Sequence, residues 1–171
     1  MIATTKTRYM TMKTFAANSL GGPGGENVTA RILVAEDTAI IRQLITMLLS
    51  RAGHHVEAVP DGLRAWEALE AGNYDLLITD NQMPGLSGFD LVKRLQETGN
   101  PLPIVMLSGS FDAEQLEQAR WLGIAAAIAK PFTSDQLLAI VWLVLRGRAD
   151  FWISISARAT ARHEEIAASE M

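Results

Sequence analysis

The sequence predicts an α/β fold with a doubly wound parallel sheet, in which five strands alternate with five helices. Short, continuous apolar runs recur along the chain, as expected of strands that are buried on both faces. Each run is followed by a longer segment whose apolar residues have helical spacing. This alternation is typical of a parallel sheet covered by helices on both sides.

The first two strands and helices follow each other closely. Residues 32–35 are an apolar run, and residues 38–51 are predicted to form the first helix. Its apolar residues at helical spacing are Ile41, Leu44, Ile45, Leu48 and Leu49. The second strand is predicted at residues 55–59, and Asp61 stands where it can cap a second helix that Gly72 ends.

The third and fourth units have the same organisation. The third strand is predicted at residues 76–79, and Ser87 can cap the helix after it. The apolar residues of that helix are Phe89, Leu91, Val92 and Leu95. The fourth strand is predicted at residues 104–107, and residues 112–122 form the fourth helix.

The fifth strand is alanine-rich and is predicted at residues 124–129. Thr133 and Gln136 stand at capping-box spacing before a fifth helix that extends to about Arg146. This helix has little polar face, although a surface helix should keep one. Two explanations stay open. In the first, the fourth and fifth helices form a surface that contacts a partner or a second copy of the chain. In the second, the segment after the fifth helix folds back over it. The apolar residues available in that segment are Phe151, Trp152, Ile153 and Ile155.

Length and composition exclude several classes of protein. The chain has 171 residues, 49% of them hydrophobic, which is enough for a packed core. The net charge of −4 gives no support for nucleic-acid binding. No apolar run is long enough to span a membrane. There are no cysteines, which excludes disulfides and thiolate chemistry and is consistent with a cytoplasmic location.

Three parts of the chain are predicted. Residues 1–29, with a glycine-rich cluster near their end, are interpreted as a flexible lead-in. Residues 30–147 are expected to form the domain, and residues 148–171 a C-terminal tail that is too short for a DNA-binding domain of the usual size.

Chemically active side chains stand at the ends of four predicted strands. They are Glu36 and Asp37 after the first, Asp80 after the third, Ser108 after the fourth and Lys130 after the fifth. Because functional residues of such sheets gather at the carboxyl ends of the strands, these five side chains are expected to converge.

A converged cluster of this kind suits phosphoryl transfer. Crowded carboxylates repel one another, and Mg²⁺, which prefers oxygen ligands, relieves that repulsion. Asp80 could then act as the nucleophile, while Lys130 and Ser108 contact the phosphoryl oxygens. Each residue alone also has a purely structural explanation, since strand-end carboxylates often cap helices and a serine or a Lys-Pro pair often starts a loop.

The chain resembles the bacterial response-regulator receiver family. The resemblance lies in Ile-Leu-Val-Ala-Glu-Asp at 32–37, in Asp-Asn-Gln-Met-Pro-Gly-Leu-Ser-Gly at 80–88 and in Lys-Pro-Phe at 130–132. It extends over roughly residues 31–146. It implies a flavodoxin-like (βα)5 fold with a five-stranded parallel sheet, and a phosphoryl group accepted from a histidine kinase or histidine phosphotransfer protein.

The resemblance also implies a role for each site residue. Asp80 would be the phosphoacceptor, Ser108 the switch hydroxyl and Lys130 the lysine that contacts the phosphate. The implied residues of the magnesium site are Asp37, Asp80 and the backbone carbonyl of Gln82, with Glu36 acting mostly through water. No turnover of a separate substrate is expected, and output would pass through protein contacts.

One position departs from the family pattern. Where such receivers usually carry Tyr or Phe, three residues before the lysine, this chain has Ala127. The chemistry of phosphorylation does not need this ring, so the departure bears on the usual coupling of Ser108 to the surface of the fifth strand. A receiver-like binding module that is not phosphorylated also stays open as an alternative. Two further alternatives fit less well. A haloacid-dehalogenase-like phosphatase needs its nucleophile after the first strand, and a flavin-binding protein would place a phosphate where Glu36 and Asp37 repel it.

Overall fold

The computed structural model describes residues 29–147 and 153–155 of the chain. Within these residues the strands are β1 (Arg31–Ala35), β2 (His55–Val59), β3 (Leu76–Asp80), β4 (Ile104–Ser108), β5 (Ala126–Ala129) and β6 (Ile153–Ile155). The helices are α1 (Ala39–Arg51), α2 (Gly62–Ala71), α3 (Gly88–Glu97), α4 (Ala113–Trp121) and α5 (Ser134–Leu145). All five predicted strands and helices are present, and the predicted fold class is confirmed.

The strands form one parallel sheet in the order β2-β1-β3-β4-β5-β6. All the pairings are parallel, and β1 lies between β2 and β3. Every residue of β3 and β4 is buried, because helices cover both faces of these central strands. The carboxyl ends of β1, β3, β4 and β5 therefore lie along one edge of the sheet.

Each face of the sheet has its own apolar core. On one face, α2, α3 and α4 pack on residues such as Leu33, Leu77 and Met106. On the other face, α1 and α5 pack on Val34, Ile78 and their neighbours. Alternate residues of a strand thus contribute to opposite cores, as the twofold period of a strand requires.

Helix starts follow the predicted capping residues. Asp61 and Ser87 accept hydrogen bonds from backbone amides in the first turns of α2 and α3, and Thr133 and Gln136 form a complete capping box at α5. The fourth helix also has a complete box, which begins at Asp112. Thr38 precedes α1 but makes no side-chain capping bond.

The strand β6 was not predicted. It pairs in parallel with β5, with Ala127 opposite Ser154, and adds a sixth strand to the five that were expected. It lies in the segment that was interpreted as a tail. Phe151 and Trp152, which were considered as a cover for α5, lie outside the described residues, as do residues 1–28 and 156–171.

Helical spacing did not always identify the buried face. In α1, Ile45 and Leu49 are buried, whereas Leu44 is 40% exposed. The side chain of Leu63 in α2 is also largely exposed. Among the described residues, no helix is both long enough and apolar enough to cross a membrane.

Candidate functional site

The strand ends place the predicted site residues at one edge of the sheet. Strand pairing sets Ala35 beside Thr79, so that the residues following β1 lie next to the end of β3. The end of β4 is joined to the next strand by a hydrogen bond of 2.7 Å from the Lys130 amide to the Ser108 carbonyl. Four separate segments of the chain are thus held in fixed order around one small volume.

An acidic cluster forms where β1 and β3 end. One carboxylate oxygen from each of Glu36, Asp37 and Asp80 lies within 4.8 Å of the others. Glu36 is fully buried and Asp80 is 4% exposed, whereas Asp37 is exposed. Two of the three acids are therefore largely removed from water, and the third faces the solvent at the mouth of the cluster.

Lys130 is the cation that neutralises the buried part of this cluster. Its Nζ donates to Glu36 Oε2 at 2.7 Å and to Asp80 Oδ2 at 2.8 Å. The lysine side chain is only 16% exposed, so these two charge-assisted bonds lie in a medium that screens them poorly. One ammonium between three carboxylates leaves an excess of negative charge at the site.

Burial and the Lys130 hydrogen bonds shift the pKa values of both partners. Burial raises the pKa of Glu36 above its usual value, and the nearby Lys130 opposes that shift only in part. Burial alone would lower the pKa of Lys130, but the hydrogen bonds to Asp80 and Glu36 outweigh it, and the lysine pKa is raised. Lys130 therefore stays charged at neutral pH, while Glu36 takes up a proton more readily than an exposed glutamate.

The hydrogen bonds to the other carboxylate oxygens of Glu36 and Asp37 show which groups are available to a cation. The second oxygen of Glu36 accepts a hydrogen bond from the Thr38 amide at 3.2 Å, so that both of its oxygens are engaged. Asp37 accepts from the Thr38 hydroxyl at 3.2 Å and forms no ion pair with any described residue. The exposed Asp37 carboxylate beside the buried Asp80 carboxylate offers the oxygen ligands that a hard divalent cation such as Mg²⁺ prefers.

The loop after β3 packs tightly beneath Asp80. The Gln82 amide approaches Asp80 Oδ1 at 3.3 Å, and the Gly88 amide donates to the Asn81 carbonyl at 3.0 Å. A Cβ atom at Gly88 would lie 2.4 Å from the Asp80 carbonyl oxygen. The glycine at this position therefore allows α3 to begin directly against the backbone of the acid.

Ser108 lies at the end of β4 but does not bond to the acids. Its hydroxyl donates to the Ser110 carbonyl at 2.6 Å and accepts from the Ser110 amide at 3.3 Å. The side chain is fully buried. Of the predicted residues, Glu36, Asp37, Asp80 and Lys130 are brought together, whereas the Ser108 hydroxyl is engaged by its own loop.

The prediction missed Arg42. Its guanidinium Nη1 donates to the Glu36 carbonyl at 2.6 Å and to the Asp37 carbonyl at 3.1 Å. A basic residue near the start of a helix is unfavourable for the helix dipole, and that position was the available signal in the sequence.

Comparison with known proteins identifies the family of this chain. Residues 32–142 match the family described as response regulator receiver domain. The chain is 34% identical over 114 residues to chemotaxis protein CheY-3 of Vibrio cholerae, covering 65% of this chain and 88% of that protein. It is 36% identical over 106 residues to sensor protein EvgS of Escherichia coli, covering 62% of this chain and 9% of that protein.

Solved structures show the same fold. The receiver domain of Francisella response regulator 1452 aligns with a TM-score of 0.67 and 28% identity, over 70% of this chain and 99% of that one. Chemotaxis protein CheY4 of Vibrio cholerae aligns with a TM-score of 0.65 and 29% identity, over 68% of this chain and 99% of that one. With most of the chain matched by the family and an acidic edge built as described, this protein belongs to the response regulator receiver domain family of two-component signalling systems.

Proposed function

We propose that this chain is a phosphorylatable receiver that accepts a phosphoryl group on Asp80 from a histidine kinase or histidine phosphotransfer protein. The observation that supports this most strongly is the buried Asp80 carboxylate, which lies between the Lys130 ammonium and the acidic pair Glu36 and Asp37. A nucleophile surrounded by charged groups and fixed at the end of a rigid strand suits phosphoryl transfer, which depends mainly on positioning and charge.

Magnesium is part of the proposal. Asp37, Asp80 and the backbone carbonyl of Gln82 would hold the cation, and Glu36 would act on it through water, since both of its oxygens are already engaged. Bound Mg²⁺ would supply positive charge to the incoming phosphoryl oxygens.

In the proposed step, a carboxylate oxygen of Asp80 forms a bond to phosphorus while the phosphorus–nitrogen bond of a phosphohistidine breaks. The electron pair of that bond leaves with the imidazole nitrogen. Lys130 would then move its hydrogen bond from the carboxylate to a phosphoryl oxygen. Ser108 would donate to another oxygen after releasing the Ser110 carbonyl, which it now contacts at 2.6 Å.

The phosphodonor would approach over the first helix. Ile40, Leu44 and Met47 are 79%, 40% and 42% exposed, and their spacing places them on one face of α1. The helix begins only two residues after Asp37, so a partner seated on this face would reach the acidic cluster. An apolar helix face of this kind fits a helical partner.

Output would pass through protein contacts rather than through turnover of a substrate. The described residues Leu138, Leu143 and Leu145 of α5 are only partly buried, which supports a contact with a target protein or a second copy near α4 and α5. Residues 30–147 would be the receiver domain, between a lead-in of residues 1–29 and a tail of residues 148–171 to which β6 belongs.

Intact mass spectrometry with acetyl phosphate as a small donor tests the proposal. We expect a gain of one phosphoryl group that requires Mg²⁺ and is lost in Asp80→Asn. Asp75→Asn is the matched control, because Asp75 stands just before the same strand at the opposite edge of the sheet and bonds the Arg31 amide. A folded protein that gains no mass under any condition would instead be a receiver-shaped binding module.

A further inference from the structure

The start of α1 is built differently from the starts of the other four described helices. Those four have an N-cap side chain that accepts a backbone hydrogen bond; the caps are Asp61, Ser87, Asp112 and Thr133. At α1 the Thr38 side chain makes no such bond, and its hydroxyl donates to Asp37 instead. The first turn of α1 also lacks an acidic residue, as does that of α2. Another group must therefore hold the junction between β1 and α1.

Arg42 is that group. One guanidinium nitrogen, Nη1, donates to two consecutive carbonyl oxygens, at 2.6 Å for Glu36 and 3.1 Å for Asp37. The Arg42 amide also donates to the Thr38 carbonyl at 2.9 Å. Because the arginine begins in α1 and ends on the backbone that follows β1, it ties the helix to both acidic residues.

The contact is made through the backbone and leaves the carboxylates for other partners. Within the described part of the chain, Arg42 forms no ion pair with an acidic side chain. The Glu36 side chain is already held by Lys130 and by the Thr38 amide. Asp37 has no comparable anchor among the residues that the structure describes, since it is exposed and its side chain is bonded there only to the hydroxyl of its neighbour. The direction of its carboxylate thus depends on the backbone that Arg42 holds.

We propose that Arg42 is a positioning residue for the cation site. It holds the backbone at residues 36–37 so that the Asp37 carboxylate stays beside Asp80. It also places a permanent positive charge behind the acidic cluster, whose carboxylates pair only with Lys130 among the described residues. This inference rests on the proposed function, because it concerns the Mg²⁺ that phosphorylation would need. Residues that orient metal ligands typically change metal affinity by about 10- to 100-fold when they are replaced.

Calorimetric titration of the full chain with MgCl₂ measures this directly. We expect Arg42→Gln to bind Mg²⁺ about tenfold more weakly than the unaltered protein. Arg42→Lys keeps the positive charge but loses the planar guanidinium, and we expect a Mg²⁺ affinity between those of Arg42→Gln and the unaltered protein. Arg64→Gln is the matched control, because Arg64 lies near the start of α2, is exposed and pairs with the surface residue Glu67 at 3.1 Å. Its Mg²⁺ affinity should be unchanged.

Phosphorylation provides a second readout that a merely structural role would not move. With acetyl phosphate, Arg42→Gln should need about tenfold more Mg²⁺ for half-maximal rate, yet approach the unaltered rate when Mg²⁺ saturates. A variant that melts earlier but binds Mg²⁺ normally in its folded state would overturn the inference and leave Arg42 as a helix anchor. If Arg42→Gln does not fold, Arg42→Lys decides: an unchanged affinity overturns the inference, and a loss of about threefold or more supports it.

The two proposals fail in different ways. If the unaltered protein neither binds Mg²⁺ nor takes a phosphoryl group, the proposed function itself is wrong. If the unaltered protein does both and Arg42→Gln matches it in affinity and in Mg²⁺ requirement, only the role of Arg42 is wrong.

Discussion

Replacing Lys130 by Met removes the ammonium that bonds both buried carboxylates. The two bonds are 2.7 Å and 2.8 Å long, to Glu36 and Asp80, and the lysine side chain is 16% exposed. Loss of one partner from a buried ion pair costs about 3–5 kcal/mol, because the remaining charge is left uncompensated. The raised pKa of Glu36 lets this acid take up a proton in the variant, so we expect the lower end of that range, about 3 kcal/mol at pH 7.5 without Mg²⁺.

The pH dependence has a definite sign. A carboxyl group whose folded-state pKa is raised favours the folded protein at low pH, and this contribution is lost as the pH rises. Removing Lys130 raises the pKa of Glu36 further, so the destabilisation by Lys130→Met should be smaller at pH 5 than at pH 7.5. Urea denaturation followed by circular dichroism, in EDTA, measures both values.

Addition of Mg²⁺ and a surface variant complete this test. Millimolar Mg²⁺ should recover part of the stability that Lys130→Met loses, because the cation replaces the missing positive charge. Lys93→Met removes a lysine that pairs with Asp90 at 3.7 Å on the surface, and it should change stability by less than about 0.5 kcal/mol. A loss below about 1 kcal/mol for Lys130→Met, equal at both pH values, would refute the reasoning.

Two further predictions concern the backbone beside the site and the opposite edge of the sheet. Gly88→Ala should lower the free energy of unfolding in urea by about 1–3 kcal/mol and slow phosphorylation, because its Cβ would lie 2.4 Å from the Asp80 carbonyl oxygen. The Cβ of Gly109→Ala would meet no atom within 4 Å, so this control should change neither stability nor phosphorylation. Burial, aided by a hydrogen bond to Glu57, raises the pKa of Tyr74 to about 12. Because a raised pKa stabilises the folded protein below the unfolded-state pKa of about 10, that stability should be lost between about pH 10 and 12. Absorbance at 295 nm should show a tyrosine ionisation near pH 12 that Tyr74→Phe removes. Persistence of this ionisation in the variant would contradict the assignment to Tyr74.

Most of the fold was predictable because it depends on local, repeated signals. Apolar runs identified β1, β3, β4 and β5, the alternating residues 55–59 were predicted as β2, and Asp61, Ser87 and Thr133 marked helix starts that the structure confirms. The strand β6 was missed because three residues are too few to show a period. Helical spacing also cannot tell which neighbouring element covers a face, and for this reason it did not identify Leu44 as exposed.

The site was predictable as a set of residues but not as a network of contacts. Parallel topology brings strand ends together, so Glu36, Asp80 and Lys130 could be expected at one edge. That the Ser108 hydroxyl turns to the Ser110 carbonyl depends on the conformation of one loop. The contacts of Arg42 were missed because its guanidinium bonds to backbone carbonyls, which every residue carries, and its unfavourable place near a helix start was the available signal.

Locating the phosphoryl group on the chain tests the central claim most directly. The protein would be incubated with acetyl phosphate and Mg²⁺ and then reduced with borohydride, which converts an aspartyl phosphate into homoserine, and its peptides would be sequenced by mass spectrometry. We predict homoserine at position 80 alone, and none when Mg²⁺ is replaced by EDTA. Homoserine at Asp37 instead, or no conversion in folded protein, would contradict the assignment of Asp80 as the phosphoacceptor.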